Sequence, residues 1–511
     1  MNKFLVLFLL VFSQGLSAQD FPGYRAGNYT GVNGVFFNPA NIADSRYRWD
    51  FNLFSLSTSV GNNQASFRFK NIGDTFKGDS LVNQFIGKNA GAASGNINAN
   101  IHGPSLMFNT GRNGAVALTS RARVMINAID IDGKLADLIK EESDQNYDEP
   151  YTINSPNNMR MSVNAWSEFG LSYGHILSDK GEHFFKAGVS LKYLAGAANG
   201  YLNIANLKGS IGEDSWSYEP YLYDAGGRLE LGLGGVNISD FDVDKLTSFQ
   251  STGFGGDIGF VYEYRPGHEK YKLDSNNYRR DLNKYKFRVG MALLDIGSVK
   301  YKRDMQRSGA YDIEVNGGSR LYLQQFDEVE IDSLKSFFDN HPQYFTPAAG
   351  NDQSTYMVGL PTTLHIDADY HVNRGFYVNL SGQLSLVNTE SKPYNSQYYS
   401  SFTLTPRYEG RAFGVYVPVS YNKLTSFNAG VSLRMGPLFV GSGSVLTALM
   451  GDSKQADVHL GLRFGGLQKD KLKKAEKKAK KAKRSKSNEE EDDDDKNQNL
   501  STSEGNEVQT N

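Results

Sequence analysis

The stretch Leu364-His365-Ile366-Asp367-Ala368-Asp369-Tyr370, the turn His371-Val372-Asn373-Arg374-Gly375 and the run Phe376 to Leu386 divide their residues between two faces. Leu364, Ile366, Ala368 and Tyr370 fall on one side; His365, Asp367 and Asp369 fall on the other. After the turn, Phe376, Val378, Leu380, Gly382, Leu384 and Leu386 alternate with Tyr377, Asn379, Ser381, Gln383 and Ser385. A period of two with one apolar face is the pattern of a β-hairpin.

Working outward, the same pattern recurs. Phe169, Leu171 and Tyr173 alternate with Glu168, Gly170 and Ser172, and Phe185, Ala187, Val189, Leu191 and Tyr193 alternate with Lys186, Gly188, Ser190 and Lys192. Similar runs lie at 257–264, 287–293, 413–421, 427–433 and 458–464. Many extend to the roughly 9–11 residues that a tilted strand needs to cross a bilayer. Tyr193, Tyr262, Tyr264, Tyr301, Tyr370, Tyr408 and Tyr421 sit at strand ends, as in interfacial aromatic girdles.

Composition agrees with an all-β wall. The 511 residues include 53 Gly, 31 Phe and 29 Tyr but only 14 Pro and no Cys. A mean hydropathy of -0.48 is compatible with a membrane barrel, because only alternate strand residues face lipid. The lack of Cys excludes thiolate catalysis, iron–sulfur clusters and Cys-ligated zinc.

The chain opens with a signal-peptide pattern over residues 1–18. Lys3 precedes the apolar run Phe4 to Phe12, and cleavage is expected after Ala18. No later segment is apolar for long enough to form a transmembrane helix.

Connections fall into short and long sets. The short turns are read at Val60 to Asn63, Thr110 to Gly114, Ser178 to Glu182, Val372 to Gly375, Tyr408 to Arg411 and Arg434 to Pro437. The long loops are read at 71–93, 127–162, 205–253 and 302–361, with Gly267 to Asn283 a long connection on the short side. Lys134 to Glu142 and Val329 to Asn340 have helical spacing and suit a cover for the barrel mouth or helices that pack only their own apolar faces.

The expectation is a transmembrane antiparallel β-barrel of about 14 strands, roughly 12–16 being compatible with the runs. It spans 48–466, behind an N-terminal segment, 19–47. Beyond it lies a tail, 467–511, that is Lys-rich over Lys469 to Lys486 and acidic over Glu489 to Asp495. Like-charge blocks stay solvated, so the tail is expected to be disordered and periplasmic, free or tethered to a periplasmic or secretion-system protein.

Tyr24 to Val32, Val35-Phe36-Phe37-Asn38-Pro39-Ala40-Asn41 and Trp49 to Leu53 resemble an uncharacterised outer-membrane barrel family of Bacteroidota, a domain of unknown function. Gly188 to Gly196, Leu294 to Tyr301 and Leu433 to Gly441 fit the same family, and the likeness covers roughly residues 20–466. More distantly, Asn38-Pro39-Ala40 and the Lys192 to Gly196 strand end are similar to long-chain fatty-acid transporter (FadL-like) barrels. Leu360-Pro361-Thr362 and Gly436-Pro437 look like PorP/SprF-type barrels of secretion and gliding machinery.

The FadL-like resemblance implies an outer-membrane barrel that admits a hydrophobic or small solute, with Asn38, Pro39 and Ala40 in a plug inside the lumen. An ordinary Asn-Pro turn before the first strand is the alternative. The PorP/SprF-like resemblance implies a structural barrel anchoring an assembly.

The polar faces nominate lumen-lining residues: His365, Asp367, Asp369, Arg121, Arg123, Arg288, Lys186 and Lys192. Same-face neighbours on one strand lie about 6.6–7 Å apart, too far for one tight metal site without neighbouring strands. Charged ladders are ordinary in a barrel lumen, so no catalytic residue, metal or cofactor is expected. No phosphate loop, His-Glu-x-x-His or Gly-x-Ser-x-Gly occurs, and Gly253 to Gly256 lacks dinucleotide spacing. Export argues against nucleic acid as the partner of the basic tail. The expected surroundings are outer-membrane lipid and a hydrophobic small-molecule ligand.

Overall fold

The computed structural model describes residues 20–67, 92–133, 135, 151–154, 159–235, 251–274, 277–326 and 329–468. The stretch read as a signal peptide, the helix read at Lys134 to Glu142 apart from residue 135, and the charged tail over 469–511 lie outside the described residues.

Fourteen antiparallel strands close into a barrel. They are β1 (Tyr47–Asn62), β2 (Ala93–His102, continued by Ser105–Asn109), β3 (Gly114–Ile131), β4 (Met159–Lys180), β5 (His183–Glu213), β6 (Ser251–Tyr264) and β7 (Phe287–Lys302). Next come β8 (Thr355–Gly359, then Thr363–Asn373), β9 (Phe376–Ser385), β10 (Ser401–Glu409) and β11 (Phe413–Tyr416, then Val419–Asn422). The last are β12 (Ser426–Ala429, then Val431–Met435), β13 (Leu438–Ser442) and β14 (Gln455–Leu467). Each strand pairs with its neighbour in sequence, and β14 returns to β1 along Tyr47↔Leu467 to Gly61↔Gln455. Closure leaves no free strand edge.

Both ends of the barrel chain lie on the same rim as the short turns at 110–113, 181–182, 374–375, 410–412 and 436–437. Two-residue turns need positive φ, which Gly181 and Gly436 supply at +58° and +57°. The segment between β6 and β7 is the long exception on this rim. The turn read at Val60 to Asn63 is a misreading: β1 runs unbroken through Asn62, which pairs with Gly95, and then enters a loop on the opposite rim. Gly61 and Asn62 are turn residues by composition, but the ladder through Gly61↔Asn96 holds them extended. The loop rim also carries one short connection, Asn422 to Ser426.

The stretch read as a loop over 205–253 is partly sheet. β5 continues to Glu213 and pairs with Pro220–Gly235, and that strand pairs with Gly309–Val315. Leu229, Leu231 and Leu233 do alternate with Arg228, Glu230 and Gly232, so the period of two was present there. This extension has its own core of Leu207, Ile211, Leu229, Tyr311, Ile313, Val315, Phe338 and Phe345. The helix expected over Val329 to Asn340 forms as the α-helix Leu334–Asn340 and presses Phe338 onto Tyr311, with ring centroids 5.2 Å apart.

Along the wall the two faces separate as the alternation requires. Leu118, Phe169, Leu171, Met291, Leu380 and Leu404 are exposed outward, and Leu191 is 67% exposed. Such a belt is stable in hydrocarbon and costly in water. The inward face is polar and buried: Asp50, Asn52, Asn100, Arg123, Asp257, Asp369, Arg407 and Arg463.

Tyr301 breaks the girdle reading, being buried inward beside Val299, Tyr356 and Leu360. A bulge between Leu293 and Ile296 is the cause, because one extra residue swaps the faces beyond it.

Candidate functional site in the barrel interior

Residues 20–46 thread the inside of the wall. Their backbone folds as three short 3-10 turns, Tyr24–Ala26, Gly31–Phe36 and Pro39–Ile42. Asn38 caps the last turn: its side-chain oxygen accepts from Ala40 N at 2.9 Å, and Pro39 supplies the fixed φ of the first helical position.

Contacts of this segment run right round the ring. Val32 N donates to Asp50 on β1 at 2.7 Å, and Asn100 on β2 donates to Asp20 at 2.9 Å. Arg121 on β3 lies 5.0 Å over the Phe36 ring. Asn38 Nδ2 donates to Phe260 O on β6 and Met291 O on β7. On the far side Arg25 meets His365 on β8, and Asn28 N donates to Glu409 on β10 at 3.1 Å. Ser432 on β12 donates to Pro22 O, Tyr24 stacks on Phe439 of β13 at 3.9 Å, and Arg463 on β14 donates to Tyr29 O at 2.6 Å.

Two wall glycines make the closest approach possible. A Cβ on Gly188 would run into the Pro39 and Ala40 backbone, and one on Gly259 into the Asn38 side chain. Two cavities between segment and wall among the described residues are small. One beside Arg25, His365 and Asp367 holds about 20 Å³, and one beside Phe36, Glu168 and Lys192 holds about 10 Å³.

The nominated residues resolve into three charged groups. Arg121, Arg123 and Lys192 meet Glu168, Asp257 and Asp295 inside the wall, with Arg121–Glu168 at 2.7 Å, Arg123–Asp295 at 2.8 Å and Lys192–Asp257 at 2.7 Å. The charges balance, three against three, as buried charges require. Asp295 stands in the bulge at φ +57°, which turns its carboxylate into this group. Arg288 reaches Asp367 at 3.6 Å and Asp369 at 4.0 Å, while Arg407 takes Asp369 at 2.6 Å. Tyr285 also donates to Asp369. His365 accompanies Arg25 rather than the two aspartates of its own strand.

The third group lies on the turn rim and centres on Asp44. Arg265 reaches its carboxylate at 2.8 Å, Arg280 at 3.2 Å, Lys284 at 3.3 Å and Arg46 at 3.9 Å. Lys186 donates to the neighbouring Ala43 O at 2.8 Å. Burial alone would lift the Asp44 carboxyl; Lys284, Arg265, Arg280 and Arg46 overcome this and hold it well below the usual range. Burial lowers the Lys284 ammonium to about 8, with Arg265 and Arg46 adding to the push against the pull of Asp44 and Glu263.

A family model described as a family of unknown function, DUF5723, matches residues 39–443. The chain belongs to that family. The match begins at Pro39 in the threaded segment and ends in β13's loop. No functionally curated protein matches this sequence. Among solved structures, this DUF5723 chain is similar to a Pseudomonas aeruginosa FadL homologue at 11% identity and TM-score 0.40, covering 88% of this chain and 98% of that one. It is similar to the P. putida toluene transporter TodX at 10% identity and TM-score 0.38, covering 86% and 95%. The Escherichia coli outer membrane protease OmpT aligns at 8% identity and TM-score 0.21, covering 82% and 95%.

Sequence reasoning missed the partners in this DUF5723 interior. Glu168 and Asp257 stood on polar strand faces, so alternation could have nominated them. Asp295 was hidden by the bulge. Asp44, Arg280 and Lys284 lie outside regular strands, where no period marks a face.

Proposed function

We propose that the protein is an outer-membrane barrel that admits a hydrophobic or small solute, with residues 20–46 as the plug that closes its lumen. The observation that carries this reading is the course of that segment. It is held by side-chain hydrogen bonds, ion pairs and ring contacts around the ring, and two cavities beside it among the described residues measure about 20 and 10 Å³. A barrel closed by its own terminal segment suits conditional passage rather than an open pore.

An apolar hollow of about 770 Å³ on the outer wall supports a hydrophobic solute. Leu118, Phe169, Leu171, Leu191 and Phe254 line it, beside Pro104 where β2 is interrupted. Thr119, Gly170 and Lys192 line both this hollow and the small cavity inside the wall. The test is single-channel conductance and uptake of a fluorescent hydrophobic solute in liposomes, comparing the mature protein with one lacking residues 20–46. A closed intact barrel that conducts on deletion supports the reading. Silence of both forms in both assays counts against it.

The second reading is a structural barrel that anchors a secretion or motility assembly. The balanced ion-pair group of Arg121, Arg123, Lys192, Glu168, Asp257 and Asp295 favours it, since it ties five wall strands together inside the lumen. Pull-downs with and without residues 467–511 test it, and identical empty partner lists would remove it.

A further inference from the structure

The group around Asp44 carries more positive charge than it can use. Among the described residues, five cations converge here: Arg46, Lys186, Arg265, Arg280 and Lys284. Two carboxylates answer them, Asp44 and Glu263, the latter 2.6 Å from Arg265. Asp281 is taken up by Arg279 and Arg411. The three guanidiniums alone exceed the two carboxylates by one charge, and with both lysines protonated the surplus is three, in a largely buried place where an unmatched charge is costly.

Two donors have no partner among the described residues. Arg46 is 5% exposed, its Nη1 donates to Asp44 O and its Nη2 to Asn283, yet its Nε has no hydrogen-bond partner. Arg280 Nε is engaged by Asp44 and its Nη1 by Gly111 O, while its Nη2 has none. With its side chain 18% exposed, Arg280 is the member of the group that reaches solvent most. Planar guanidinium forks with free N–H groups match oxyanions, and a dianion, by holding the two lysines protonated, matches the full surplus better than a single carboxylate does.

We propose that this turn-rim cluster is an oxyanion site of the phosphate class, with Arg46 Nε and Arg280 Nη2 as its open donors. Lys186, Arg265 and Lys284 supply the supporting field. Two sources share the chemistry, soluble phosphate and a phospholipid headgroup. The bound anion competes with Asp44 for the same cations, so its arrival loosens the tie between residue 44 and the segment that joins β6 to β7. Binding is read without reference to passage through the barrel, so it stands or falls separately from the transport reading.

The test uses the mature protein in maltoside micelles at pH 7.5, with thermal unfolding followed by circular dichroism. One arm titrates sodium phosphate against sodium chloride at matched ionic strength. The other titrates a short-chain phosphatidylglycerol against a phosphate-free glycolipid. A saturable rise in Tm is expected: in the first arm it identifies the free ion, and in the second arm alone the headgroup. Arg280→Gln is expected to weaken the effect by about tenfold, the loss of one charge-assisted contact. Should Arg280→Gln fail to fold, Arg280→Lys keeps the charge without the fork, and weaker binding by it supports the site. No saturable rise in either arm, or a rise that the folded variant leaves unchanged, overturns it.

Discussion

The Asp295 carboxylate lies 2.8 Å from the Arg123 guanidinium, and neither side chain is more than 7% exposed. Asp295 also takes Arg121 at 3.1 Å and Lys192 at 2.7 Å, so one carboxylate ties three cations from β3 and β5 to β7. Asp295→Asn removes the charge while keeping a residue that tolerates the positive φ of the bulge. Three buried cations would then face two carboxylates. The expected cost is about 3–5 kcal/mol, the range for breaking a buried ion pair. Urea unfolding in detergent measures it, and a loss below about 1 kcal/mol would show that solvent reaches the group.

Gly188 should be intolerant for a reason lying outside its own strand. A Cβ there meets the backbone at Pro39 and Ala40, which cannot swing aside as a flexible side chain can. Gly188→Ala is expected to dislodge the threaded segment, raising both conductance and tryptic cleavage after Arg25. Gly451→Ala is the control, since a Cβ there meets nothing within 4 Å. Equal cleavage of the two variants would show that the segment is not held against β5.

These two sites show what was legible in the sequence. The hairpin of β8 and β9 was readable because the period holds from Thr363 to His371 and along β9, and slips only between His371 and Asn373 beside the turn. The polar faces of Arg121, Arg123, Lys186 and Lys192 were readable for the same reason. Alternation assigns a face but not a partner across the lumen. It therefore missed that Arg123 meets Asp295, 172 residues away. One extra residue in β7 reversed the reading beyond it, which is why Tyr301 was placed in a girdle. The Asn38-Pro39-Ala40 turn was visible as local chemistry. Its seat against Gly188 and Gly259 depends on tertiary packing that no local period encodes.

Lys284 makes stability depend on pH on the alkaline side. Its ammonium titrates at about 8 in the fold, against 10.5 as the ordinary value, with Asp44, Glu263, Arg46 and Arg265 facing it. Between these values the unfolded chain holds a proton that the folded protein has released. The unfolded state binds more protons there, so stability rises with pH from about 8 to about 10.5. The gain from this group is on the order of 3 kcal/mol. Lys284→Met should flatten that rise, and urea midpoints at pH 7.5 and pH 10 for both proteins check it. Parallel curves for wild type and variant would remove Lys284 as the cause.

Phe338 tests whether the loop-side extension melts apart from the wall. Its ring is buried against Tyr311 and Phe345, with centroids 5.2 Å and 4.8 Å away, and it anchors the α-helix Leu334–Asn340 in that core. Phe338→Ala leaves a cavity in a small core, at an expected local cost of about 3–5 kcal/mol. The loop-side ends of β4 and β5 share this core through Met159, Leu207 and Ile211, whereas β9 and β10 contribute nothing to it. Hydrogen exchange should therefore quicken across Gly309–Val315 and Pro220–Gly235 while β9 and β10 keep their protection. Uniform quickening through the wall would mean that extension and barrel unfold as one unit, and that the loop side holds the barrel rather than merely standing on it.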